Sequence, residues 1–295
     1  MRPTFVIIII LFCSNITAEE TSEASSPLVE PLNQFVIWFD DLFADPDREY
    51  TETATSFWRL RQSFFKEESA DLISRTSMRG RVNLPNLSSR LSLLFENSTD
   101  DLISDSSNEL PEEDNDASVA LEYATEDTSW VMKNNIGFKF GLNSLYVANR
   151  LSRKFIFGDH QLRLSNNLFW YEKEGFDNRF SILNDTRVNE TNLFRNEIVL
   201  QRRQESYDEK GLAINVSSRY LIQATDTSAF QIALSADYNT KPLSEWTYAE
   251  LSFGYRGSLD DTNFSYGATP FVGARTEEDW SPFLGIKLNI EYKFD

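Results

Sequence analysis

His160 is the one histidine in 295 residues, so any reaction that needs an imidazole base must be built around it. It follows the turn pair Gly158-Asp159, and its parity along the chain differs from that of Ser165 and Asn167. Alternate residues of an extended segment point to opposite faces. A couple of the Ser-His or Asp-His kind would therefore draw on both faces of one strand. His160 is expected at a rim, and no catalytic residue is assigned. The single cysteine, Cys13, lies near the N-terminus. With one His and one Cys there is no ligand set for a transition metal, and no cofactor is expected.

Carboxylates are the abundant reactive groups. Forty-six Asp and Glu against 28 Lys and Arg give a formal charge of -18, the wrong sign for a phosphate-binding surface, so nucleic acid is excluded as a partner. The densest acidic run is 97–117, with Asp100, Asp101, Asp105, Glu109, Glu112, Glu113, Asp114 and Asp116 and no Lys or Arg. Asp114, Asp116 and Ser118 echo the first oxygen positions of a calcium loop, but Val119 stands where that loop needs Gly. Like-charge blocks repel one another; a solvated outer loop is expected and no metal site is assigned.

The elements that must position these groups divide along the chain. Arg2, the apolar run Phe5 to Phe12 and the small residue at Ala18 read as a signal peptide over 1–18, removed with Cys13. Phe12 is a poor neighbour for a lipoprotein cysteine. Residues 19–34 are small, polar and proline-bearing, which predicts a linker. Phe35, Trp38, Phe39, Leu42 and Phe43 then recur at helical spacing, with Asp40, Asp41 and Asp45 opposite and Pro46 beyond. Residues 19–50 are thus expected to be a periplasmic linker with one short amphipathic helix.

From about residue 56 the period changes to two. Leu284, Ile286, Leu288, Ile290, Tyr292 and Phe294 alternate with Gly285, Lys287, Asn289, Glu291 and Lys293, a strong strand signal. The same parity elsewhere predicts strands near 56–66, 71–84, 87–96, 118–125, 130–141, 145–157, 160–171, 178–186, 191–204, 211–223, 228–238, 246–257, 263–273 and 283–294. Most are long enough to cross a bilayer at a tilt, whereas soluble strands average about five or six residues. Alternate connections are short and the others longer, with 97–117, 172–177, 239–245 and 274–282 on one side. These marks predict an all-β, up-and-down antiparallel transmembrane barrel of about fourteen strands (twelve to sixteen) over 51–295. A soluble β-sandwich also alternates apolar and polar residues, but its closed core has no room for so many large charged side chains. Trp58, Trp130, Trp170 and Trp246 near strand ends suit an interfacial girdle.

The run Glu278-Asp279-Trp280-Ser281-Pro282, then Gly285-Ile286-Lys287-Leu288, closing in Glu291 and Phe294, resembles the end of an uncharacterised family of proteobacterial outer-membrane β-barrel proteins. So do Arg79-Gly80-Arg81-Val82-Asn83-Leu84-Pro85 with Leu87, Arg90-Leu91-Ser92-Leu93 and Phe95, and Asn167-Leu168-Phe169-Trp170 before Glu174-Gly175-Phe176. The resemblance spans about 56–294. It implies a fold and a location, the outer membrane of a Gram-negative bacterium, and no activity. Tyr292 and Phe294, followed by Asp295, look like the C-terminal signal read by the barrel-assembly machinery.

On the faces expected to point inward, Arg59, Arg61, Arg75, Arg79, Arg81, Arg90, Lys133, Lys139, Arg150, Lys154, Arg163 and Arg219 outnumber Glu122, Glu197, Asp237, Glu250 and Glu291. A basic lumen inside an acidic protein favours small anionic solutes if it is open, or forms a salt-bridged filling if it is not. The helix is expected to plug the barrel, to lie on the leaflet or to dock a partner, its acids complementing the basic lumen in the first case. The expected function is that of a non-enzymatic outer-membrane barrel, a narrow anion-preferring pore or a plugged structural barrel, with lipid and the assembly machinery as partners. The alternatives are a membrane-embedded hydrolase, which would need a base in the lumen, and a surface-binding barrel, which would need long outer loops.

Overall fold

The computed structural model describes residues 29–43, 56–68, 70–84, 90–96, 117–127, 130–141, 143–204, 206, 210–259 and 263–294. One helix precedes fourteen strands: α1 (Val29–Phe43), β1 (Phe57–Glu67), β2 (Ile73–Asn83), β3 (Leu91–Glu96), β4 (Ser118–Asp127), β5 (Trp130–Lys139), β6 (Ser144–Phe157), β7 (His160–Tyr171), β8 (Gly175–Arg187), β9 (Asn192–Arg203), β10 (Ala213–Thr225), β11 (Ser228–Asn239), β12 (Glu245–Ser258), β13 (Phe264–Arg275) and β14 (Pro282–Phe294). Each strand pairs antiparallel with its neighbours in sequence, and β1 pairs with β14 from Trp58↔Phe294 to Glu67↔Gly285 to close the barrel. A strand of about twelve residues, tilted by about 40°, rises about 30 Å, enough to cross the apolar band of an outer membrane.

The alternation seen in the sequence decides which face meets what. Even-numbered residues of β14, from Leu284 to Phe294, are exposed on the outer wall, and the odd-numbered Glu291 is buried inside. Leu60, Ile136, Val147, Leu168, Ile198, Leu234 and Leu251 carry the same exposed apolar surface around the barrel. Hydrocarbon accepts such a wall and offers no backbone hydrogen-bond partners, which is why the sheet closes. Trp58 and Trp130 stand at strand ends on the side of the chain termini, and Trp170 and Trp246 at the opposite ends. Two aromatic rims result. At one of them Gly80 faces the Trp58 ring so closely that a Cβ would collide with it, and Trp58 in turn stacks on Phe95 at 5.3 Å.

On the side of the termini the connections close in short turns, 158–159 and 226–227 among them. β3 ends and β4 begins on the other side, here called the loop end; the run 97–116 between them lies outside the described residues, as do residues 1–28. Several expected boundaries move. The connection expected over 172–177 shrinks to 172–174, because Gly175, at φ 83°, turns the chain directly into β8. The helix begins at Val29 rather than near Phe35, so part of the expected linker is helical. Leu32 extends the apolar spacing backward from Val36 and Phe39, and Pro31 falls in the first turn, where a missing N–H costs no helical bond.

A barrel of this kind should migrate as a compact band in detergent gels at room temperature and shift on boiling. Recovery in the soluble fraction, with no heat-dependent shift, would contradict the membrane-spanning assignment.

Candidate functional site

The chemistry available to this fold lies on the inner wall, and the strand registers show how it is held. Glu291 on β14, 6% exposed, receives three guanidinium groups: Arg61 at 2.8 Å, Arg59 at 3.4 Å and Arg256 of β12 at 3.4 Å. Arg79 meets Glu96 at 3.1 Å, and Arg81 reaches Glu122 of β4 at 2.6 Å. Arg219 lies 3.5 Å from Glu197, and Lys139 lies 3.8 Å from Glu174. Asp185 takes Arg195 in both arms, at 2.6 and 3.0 Å, with both side chains buried. Such forked pairs are strong and directional.

Of the cations expected inside, Arg59, Arg61, Arg79, Arg81, Lys133, Lys139, Arg150, Arg163 and Arg219 are buried or nearly so at inward positions. Arg75 and Lys154 are half-buried at inward register. Arg90 is the exception. It precedes β3 as an exposed rim residue and donates at 3.4 Å to the hydroxyl of Tyr123, which faces outward. Parity alone pointed Arg90 inward, but the strand begins only at Leu91, so the alternation does not yet govern it. Arg179, Arg195 and Arg256, with Glu67, Glu96 and Asp185, are inner-wall residues that the sequence reading left out. Their parity was readable. That Asp185 stands directly opposite Arg195, and Glu96 opposite Arg79, was not, because it depends on pairing register.

Register also places cations directly opposite one another: Arg59 and Arg79, Lys133 and Arg150, Lys154 and Arg163, Arg195 and Arg219. Opposed like charges destabilise a sheet. The first and last of these pairs are flanked by Glu291, Glu96, Asp185 and Glu197. The other two lie on β5–β7, strands that contain no Asp or Glu at any position. Lys133 lies near Glu122, beside Arg79, Arg81 and Arg150. The basic excess of the wall is therefore concentrated on one side of the barrel.

Two apolar clusters bracket this ionic layer. Toward the loop end, Leu94, Ala120, Tyr146, Ala148, Phe169 and Tyr171 pack together from inward positions, with Arg150 over the Phe169 ring at 5.4 Å. Toward the termini, α1 lays Leu32, Val36, Phe39 and Leu42 against Leu193, Leu221 and Ala229, with Phe35, Trp38 and Ile156 alongside. These wall residues share parity with Arg195, Arg219, Ala233 and Lys154, so the helix contacts the inside of the barrel. Trp38 donates its indole N–H to the Asp226 carbonyl at 3.0 Å, and Arg187 covers the Phe35 ring at 5.1 Å. The contact is thus apolar against apolar. The side chains of Asp40, Asp41 and Phe43, and with them the expected charge match, lie outside the described residues. Apolar residues at inward positions of neighbouring strands were the available sequence signal for this seat.

His160 is exposed at the rim, its Nδ1 2.9 Å from the Thr186 hydroxyl. Among the described residues no group of three His, Cys, Asp or Glu side chains is placed to hold a metal. Ser118 and Val119 belong to β4; the rest of the calcium-like echo lies in the undescribed run. Tyr292 and Phe294 face outward beside the closing seam, their rings 4.5 Å apart.

No family model matches the chain, and no curated protein matches it. Solved structures do. A loop L8 deletion mutant of OmpT, an outer membrane protein of Vibrio cholerae, superposes with a TM-score of 0.52 at 11% identity, covering 81% of this chain and 98% of that one. OmpT of the same organism, expressed in the outer membrane, gives 0.50 at 10% identity, covering 81% and 97%. An anion-selective porin from Comamonas acidovorans gives 0.47 at 9% identity, covering 81% and 99%, a similarity too low to carry argument. The first two share the barrel fold. With its apolar wall and two aromatic rims, the chain is an outer-membrane β-barrel.

Asp185→Asn would leave the Arg195 guanidinium buried without its carboxylate partner. Loss of one member of a buried pair costs about 3–5 kcal/mol. Urea unfolding of the folded protein in detergent micelles should give an unfolding free energy lower by that amount; an unchanged value would mean that the pair is not buried as described.

Proposed function

We propose that this protein is a non-enzymatic outer-membrane barrel whose bore is plugged by α1 at the periplasmic mouth and whose basic inner wall favours small anions once the helix is withdrawn. The observation that carries the reading is the seat of Phe39, wholly buried against inward-facing Leu193, Leu221 and Ala229. A helix lying on the leaflet or offered to a soluble partner would not fill that position. The short connections on the side of the termini support a periplasmic placement for both ends and an outward placement for 97–116. Cleavage after Ala18 would leave a short tether before the plug, and Tyr292 with Phe294 would serve as the assembly signal.

Anion preference follows from wall charge. Lys133, Lys139, Arg150, Lys154 and Arg163 point inward from three adjacent strands without an acid among them, and a ring of one sign raises the local concentration of counter-ions. Ion pairs elsewhere on the wall cancel much of the remaining field. The hydrolase reading would require a base inside the lumen, and the single histidine stands exposed on the rim at the side of the termini.

Planar-bilayer recordings test this reading. Deletion of residues 19–50 should raise conductance without changing the sign of selectivity, and Phe39→Ala, which weakens a buried aromatic seat by about 3–5 kcal/mol, should raise it in part. In a salt gradient the open form should favour chloride over potassium, most strongly at low ionic strength. Lys133→Gln with Arg163→Gln should move the reversal potential toward zero. Cation preference in the open form would overturn the anion reading, and absence of conductance from both forms would leave a structural barrel.

A further inference from the structure

The outer wall is not uniform. From Phe230 to Phe294 the outward positions of β11–β14, apart from Thr247 at the β12 bulge, carry aliphatic, aromatic, Gly and Pro residues only, with no amide or hydroxyl other than tyrosine. On β5–β10 the outward face carries, besides pairs near the strand ends such as His160–Thr186 and Asn192–Tyr220, three hydrogen-bonded polar pairs that together take one residue from each of the six strands. Asn149 donates to Asn134 at 2.8 Å, Asn178 to Asn166 at 3.0 Å, and Ser218 to Asn196 at 2.8 Å. Most stand near mid-strand, between exposed Ile136, Val147, Leu168 and Ile198, at the depth where a lone barrel would meet acyl chains.

Each amide pair uses one N–H and one carbonyl oxygen. The Asn134 and Asn166 amino groups and the Asn149 and Asn178 oxygens have no further partner among the described residues. An amide carries two donors and an acceptor with two lone pairs, and hydrocarbon satisfies none of them. Polar side chains at such depth instead join one protein surface to another.

We propose that the β5–β10 face is where a second copy of this chain docks in the membrane. An unused donor beside an unused acceptor is self-complementary: turned by a two-fold axis, the same pair presents acceptor to donor, as a symmetric interface requires. Six strands at about 4.8 Å spacing and about 25 Å of height offer on the order of 600 Å² per copy, adequate for a specific contact of the smaller class. The β11–β14 face has the composition of a lipid-facing wall.

The inference is independent of whether the bore conducts. It is tested by native mass spectrometry and light scattering of the full-length protein in mild detergent over a range of concentrations. Wild type should form a multimer. A variant with Asn134→Leu, Asn149→Leu, Asn166→Leu and Asn178→Leu should dissociate at least tenfold more readily while keeping its heat-dependent gel shift. Leucine at these positions suits a lipid-facing wall, so folding of the variant is not put at risk. Leu251→Ala with Leu288→Ala on the opposite face should leave the multimer intact. A monomeric wild type at every concentration would overturn the proposal. So would an amide variant that associates as wild type does, a multimer lost only through the β11–β14 substitutions, or retention of phospholipid in place of a second copy.

Discussion

Everything in this molecule depends on closing the sheet. A backbone crossing hydrocarbon must bond every N–H and C=O within the protein, and the β1–β14 seam is where the sheet's last edge disappears. Closure fixes the consequence of the two-residue period: one set of side chains faces outward, and the other is held in an enclosed interior. The aliphatic outer wall and the arginine-rich inner wall are two readings of one alternation.

The enclosed interior explains why so many charges are buried at modest cost. An isolated guanidinium out of water is expensive, but pairing places Glu291 among three arginines and Asp185 in the fork of Arg195. Where acids are absent, on β5–β7, opposed cations remain close and the wall keeps a net positive side. This asymmetry gives the inner wall an uneven charge distribution that total charge, at -18, conceals.

Apolar packing supplies what ion pairs do not. The cluster around Phe169 and Tyr171 and the seat of α1 on Leu193, Leu221 and Ala229 interrupt the polar inner face at its two ends. A helix that docks by such contacts can leave without breaking the barrel, because the strands keep their ladders either way. The outer amides on β5–β10 break the complementary rule on the other surface.

The sequence by itself determined the barrel. Strict parity in long segments, such as Leu284 to Phe294, requires one apolar and one polar face, and fourteen such segments with alternately short connections leave few architectures. It also determined that His160 and its serine neighbours face apart, since parity is local. Only the tertiary structure decided which charges meet, because whether Asp185 stands opposite Arg195 or Lys154 opposite Arg163 depends on register between strands. The same holds for α1: its apolar spacing identified a helix, but the seat is assembled from β9, β10 and β11, residues far apart in the chain. Arg90 marks the boundary between the two kinds of knowledge, for alternation fixes a side chain's direction only inside the strand, and where the strand starts is settled by its partners.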